Sequence, residues 1–158
     1  MHHLSLRLAM ILPALCIPVH GDGPADLTGF WVLNVPKSSW GSVRKPLSIF
    51  VEIDHKEPNI TYSGKITYQD EEARDFHFAG AIDGKEYPMT RSFAAGKVVI
   101  RRTGDRALHS VFKSDDGRYA ETADTSLSRD GNVLTRRLTL ETPAGAQRWT
   151  EVYERRKR

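Results

Sequence analysis

This 158-residue chain has a single cysteine, no apolar run beyond residue 21 long enough to cross a bilayer, and no segment with a sustained helical period. Each scarcity removes a class of protein. One cysteine, Cys16, rules out a disulfide framework and a cysteine-built zinc site. Three histidines lie outside the first 21 residues, His55, His77 and His109, with no local ligand spacing, so no metal site is expected. A lone haem-ligating histidine is the alternative to ordinary strand histidines. No Gly-x-Ser-x-Gly elbow and no glycine-rich loop opening a helix are present. We therefore expect no catalytic residue, no enzyme activity and no cofactor.

The charge balance is similarly uninformative about partners. The formal charge is +3 and the pI about 9.1, but the excess sits in "RRKR", Arg155 to Arg158. Without that tail and Arg7 the body is slightly acidic, so the chain presents no nucleic-acid-binding face. The tail is either a solvated terminus or a patch for anionic lipid or polysaccharide. With 39% hydrophobic and 27% charged residues the remainder is ordinary globular composition, enough for one domain and not two.

The opening "MHHLSLRLAMILPALCIPVHG" has a short basic start and an apolar run from Leu8 to Val19. This pattern predicts a signal peptide over 1–21, cut after Gly21, with a cut after Ala25 as the second choice. The domain would then span 22–158, in a periplasmic or extracellular protein. A buried first element is one alternative. A lipoprotein processed before Cys16 is another, although Leu15 is bulky for that cut.

From Ser48 onward, short runs rich in Val, Ile, Thr, Tyr and Phe alternate with glycine-containing turns: "DGK", "AGK", "TGD", "DDG", "RDG" and "PAG". Glycine accepts the positive φ of tight hairpin turns, so consecutive segments of this kind make an antiparallel meander. Strands are expected near 29–34, 48–55, 59–69, 73–82, 87–94, 97–103, 107–114, 118–128, 132–141 and 146–155. About ten strands in one domain, joined hairpin by hairpin, predict an all-β, up-and-down antiparallel barrel.

Two ends of the chain carry a resemblance. Gly29-x-Trp31 opens the first strand, Trp31, Leu33, Asn34, Lys37 and Ser38 form a W-x-L-N-x-x-K-S pattern, and "WTEVYERR" closes the last. The chain resembles secreted bacterial lipocalin-like proteins and, more distantly, the lipocalins and fatty-acid-binding proteins of the calycin superfamily. The resemblance implies that Trp31 lies across a closed barrel floor. Fatty-acid-binding proteins carry a two-helix lid after the first strand, but "VPKSSWGSVRKPL" is too short and proline-bound for one. In those proteins an arginine two residues before a tyrosine grips the ligand head, and here Glu151 holds that position.

Strand parity supplies candidate site residues. Leu134, Leu138 and Leu140 share an inward face with Arg136, and Trp149 and Tyr153 share one with Glu151. With Ala144-Gly145 as the turn, Arg136 falls opposite Tyr153 and diagonal to Glu151, with Thr125 on its other side. The candidate ligand-binding residues are Arg136, Tyr153, Glu151, Thr125 and Trp40, the last a ring expected over the barrel mouth or against its outer wall. The floor is assigned to Trp31 with Arg155 stacked on it. These residues point to noncatalytic binding of a small hydrophobic or amphipathic molecule in the lumen. The alternatives are an internal ion pair with no ligand, and a plugged barrel acting through its loops as an envelope partner or inhibitor.

Overall fold

The computed structural model describes residues 23–92 and 94–156; residues 1–21, where a signal peptide is expected, with Cys16 among them, and the last two tail residues lie outside them. Ten strands occur in chain order: β1 (Gly29–Leu33), β2 (Ser48–Lys56), β3 (Asn59–Thr67), β4 (Arg74–Ala81), β5 (Glu86–Arg91), β6 (Gly96–Gly104), β7 (Ala107–Ser114), β8 (Ala120–Leu127), β9 (Val133–Thr142) and β10 (Gly145–Arg156). Each pairs antiparallel with its sequence neighbour, and β1 also pairs with β10, so the sheet closes into an up-and-down barrel. One 3-10 turn, Val35–Lys37, is the only helical element among the described residues.

The turns explain why the hairpins form. In "SDDG" and "SRDG" the same device appears twice. Ser114 and Ser128 each donate a hydroxyl hydrogen bond of 2.6 Å to Asp116 and Asp130. Each aspartate accepts the backbone N–H two residues on, and each serine accepts another from across the turn. These side chains replace hydrogen bonds that the reversing backbone cannot make to itself. β5 ends at Arg91, earlier than the expected 94: Ser92 N–H still reaches Asp75 O across from β4, but Ala94 N–H then turns back to Arg91 O.

Period-two alternation sends one side chain in two to the core, which holds Ile49, Val51, Phe78, Val98, Phe112 and Leu134 among others. The floor gathers at one end of the barrel. Trp31 is fully buried, and its Nε1 donates to Leu27 O at 3.0 Å. Arg155, its register partner on β10, lies 4.5 Å from the ring centroid. The same guanidinium group donates to Gly131 O at 2.8 Å, to Asp26 O at 3.1 Å and to Thr28 O. A Cβ on Gly29 would come within 3.2 Å of Arg155 Nη1, and φ there is +154°, so the glycine two residues before Trp31 leaves room for the cation.

Beneath Trp31, buried His55 anchors the segment that precedes β1. Its Nδ1 accepts Leu27 N–H at 3.1 Å, so the ring proton sits on Nε2, 3.2 Å from Glu57. Thr28 Oγ1 bridges the His55 backbone from both sides.

Truncating Trp31 to alanine should cost about 3 to 5 kcal/mol, read as a loss of unfolding free energy in urea. An unaltered denaturation curve would mean that the ring does not hold the floor. His55 adds a pH dependence. Burial, opposed by Asp26 and assisted by Arg102, holds its pKa below the ordinary 6.5. The folded state therefore favours the neutral ring, and this contribution is complete above about pH 6.5 and is lost as the pH falls through the lower folded value. Between about pH 8 and 5.5 the wild-type Tm should fall more than that of His55→Asn, and parallel curves would refute the assignment.

Candidate functional site

The barrel encloses a cavity of about 760 Å³. Its wall is mainly apolar, with Ile49, Ile66, Phe76, Met89, Phe112 and Leu138 prominent, and all four arginines in it are ion-paired with glutamates.

Glu151 sits at the centre of the first group. Its Oε1 accepts Trp149 Nε1 at 2.9 Å, and its Oε2 accepts Tyr153 O–H at 2.8 Å and Arg136 Nη1 at 3.3 Å. The carboxylate is 8% exposed, whereas 28% of the Arg136 side chain remains open, so the guanidinium presents a free face to the cavity. Burial works against the charge on Arg136, but Glu151, Tyr153 and Glu121 together outweigh it and hold its pKa above the ordinary range. Burial, reinforced by Glu151, pushes the Tyr153 hydroxyl well up, so it remains a proton donor at neutral pH.

The register differs from the sequence expectation by two residues. Arg136 is paired directly with Glu151, and Tyr153 with Leu134. The turn residues are Pro143 and Ala144, not Ala144 and Gly145. Thr142 Oγ1 accepts Ala144 N–H at 3.1 Å and donates to Gly145 O at 3.2 Å, which closes the loop one residue earlier on each side. A two-residue slip preserves the faces, so the same side chains point inward. Thr125 pairs with Arg136 as expected, but it does not line the cavity.

The second group was not anticipated. Arg91 on β5 donates from both terminal nitrogens to Glu121 on β8, at 3.2 and 3.1 Å, with both side chains largely buried. The Arg91 guanidinium also lies 3.9 Å from the Phe112 centroid. The signal was available: Arg91 shares parity with Tyr87 and Met89, and Glu121 with Ala123 and Leu127.

Trp40 belongs to the mouth, and the opening motif explains how it arrives there. Asn34 Oδ1 caps the 3-10 turn by accepting Lys37 N–H at 3.0 Å, while its Nδ2 and Lys37 Nζ both donate to Glu154. Ser38 Oγ donates to Asn34 O and accepts Val152 N–H; Ser39 then exchanges two backbone hydrogen bonds with Thr150. The loop is thus stitched along β10, and the ring that follows lines the cavity. Gly41 makes the reversal possible, with φ at +54° and a would-be Cβ only 2.7 Å from Arg148 O. Trp40 Nε1 is buried without a hydrogen-bond acceptor among the described residues.

Across the mouth, Arg44 donates to Gln69 O at 2.8 Å and pairs with Glu71, which Arg74 also contacts at 2.8 Å. Both arginines lie over Tyr68, at 5.2 and 4.9 Å. The acidic loop "QDEEARD", 69–75, is therefore partly engaged in a clasp.

Among the described residues no cluster of histidine, cysteine or carboxylates could hold a metal ion. His109 is paired with Asp124 at 2.7 Å on the outer wall.

Compared with solved structures, the barrel is similar to zebrafish ileal bile acid-binding protein, crystallised with cholic acid. The TM-score is 0.52, with 15% sequence identity over 82% of this chain and 98% of that one. The fold is calycin-like. No protein-family model and no curated protein matches the sequence.

Removing one member of the Glu151 group should expose its interdependence. Arg136→Ala should lower unfolding free energy by about 3 to 5 kcal/mol, because it leaves Glu151 charged and under-compensated in the wall. Arg136→Leu combined with Glu151→Gln should recover much of that loss, since the amide removes the charge and still offers an acceptor. Recovery no better than with Arg136→Leu alone would show that charge is not the source of the cost.

Proposed function

We propose that this is a noncatalytic binding protein that holds a small hydrophobic or amphipathic molecule in its barrel lumen and works outside the cytoplasm. The observation that carries the reading is the cavity of about 760 Å³ with Arg136 opening into it. Small-molecule sites are commonly about 300 to 1,000 Å³, apolar, with a few placed polar groups. A barrel plugged by its own side chains would not leave this space. The similarity to a barrel crystallised with cholic acid supports the same reading at the level of fold. The export component rests on the leader pattern of residues 1–21.

One measurement addresses both parts. Protein expressed with its full leader and recovered from the periplasm is analysed by native and then denaturing mass spectrometry. A mature mass beginning within about four residues of Asp22 supports export, and extra native mass that disappears on denaturation supports lumen binding. An intact Met1 contradicts export. Binding is contradicted by a clean protein mass together with no uptake of a neutral solvatochromic dye such as Nile red.

A further inference from the structure

The two ion pairs in the wall restrict what the lumen can accept. Arg91 is matched by Glu121 through two parallel hydrogen bonds, and Arg136 by Glu151. Both oxygens of Glu151 are occupied, one by Trp149 and the other by Tyr153 and Arg136. Along this part of the wall, a ligand carboxylate would meet no arginine without a facing glutamate. It would add a negative charge beside two buried carboxylates, and an unmatched charge in a low-dielectric interior is expensive.

The wall has donors to offer instead. Arg136 has an open face. The Tyr62 hydroxyl, also in the wall, donates only to the Met89 sulfur at 3.9 Å, a weak acceptor that a ligand oxygen would outcompete. Trp40 Nε1, at the mouth, has no acceptor among the described residues. Donors of this kind are satisfied by an ester, ketone, ether or alcohol oxygen, which adds no charge.

We propose that the lumen selects an uncharged hydrophobic molecule carrying acceptor oxygens over a carboxylate of the same chain length. This selectivity rests on the lumen-binding reading. It departs from what the resemblance to fatty-acid-binding proteins would suggest, because here the two arginines on the barrel strands of the cavity wall, Arg91 and Arg136, each face a glutamate.

The test is displacement of Nile red from the full protein at about pH 7.5, where dodecanoate is ionised, by dodecanoate and by methyl dodecanoate. The ester should compete with an apparent Kd lower by about tenfold or more. Glu121→Gln, which leaves Arg91 less neutralised, should tighten dodecanoate by about tenfold and alter the ester by less than about threefold. Dodecanoate binding as well as the ester to wild-type protein would overturn the selectivity while leaving lumen binding intact. Nile red bound but displaced by neither lipid would also overturn it. Failure to bind Nile red or either lipid would remove the lumen-binding reading along with it. Should Glu121→Gln not fold, the wild-type comparison alone decides.

Discussion

The barrel depends on a seam formed by its shortest strand. β1 has five residues, yet it must join the two ends of a ten-strand sheet by pairing with β2 on one side and β10 on the other. Four registered positions on each side give little ladder, so the closure is reinforced by side chains. Trp31 fills the floor, Arg155 covers it and reaches three separate carbonyls, and His55 fixes the approach to the strand. At the other end of β1 the Asn34–Ser39 stitch extends the contact along β10. An open sheet would present unpaired edges and a solvated interior; with the seam made, one face of every strand becomes a lumen.

Once the lumen exists, the inward polar residues face the usual difficulty of buried charge. This protein resolves it by matching Arg91 with Glu121 on β8 and Arg136 with Glu151 on the neighbouring β10. Glu151 illustrates the cost and the benefit. Three donors converge on it, which fixes Trp149, Tyr153 and Arg136 relative to one another and leaves the arginine's remaining face as the adaptable polar surface.

Much of this was legible in the sequence because a strand's side-chain period is two. Parity alone put Arg136, Glu151 and Tyr153 on the inside, and the Asp-Gly turns marked the hairpins. Register was less legible, since a turn such as Thr142–Gly145 is decided by a hydroxyl closing on its own backbone, and the resulting two-residue slip leaves no trace in the hydrophobic pattern. Partners across the barrel were least legible. Arg91 and Glu121 can each be placed inside from parity, but that β5 and β8 bring them together depends on closure and strand tilt. The Arg44–Glu71 clasp joins two loops, where no periodicity exists to read.

The stitch from Asn34 to Ser39 and the cation above Trp31 both end on β10, more than 110 positions further along the chain. On a ribosome the first strand is therefore exposed long before the strand that completes it. Until the final dozen residues of β10 emerge, β1 has one neighbour, the mouth loop has no track to lie on, and the floor has no cover. Such sequence-distant closure makes assembly slow and leaves an unfinished sheet able to pair with other chains. A nascent chain of this protein would be most vulnerable to aggregation in the interval just before its last strand is released.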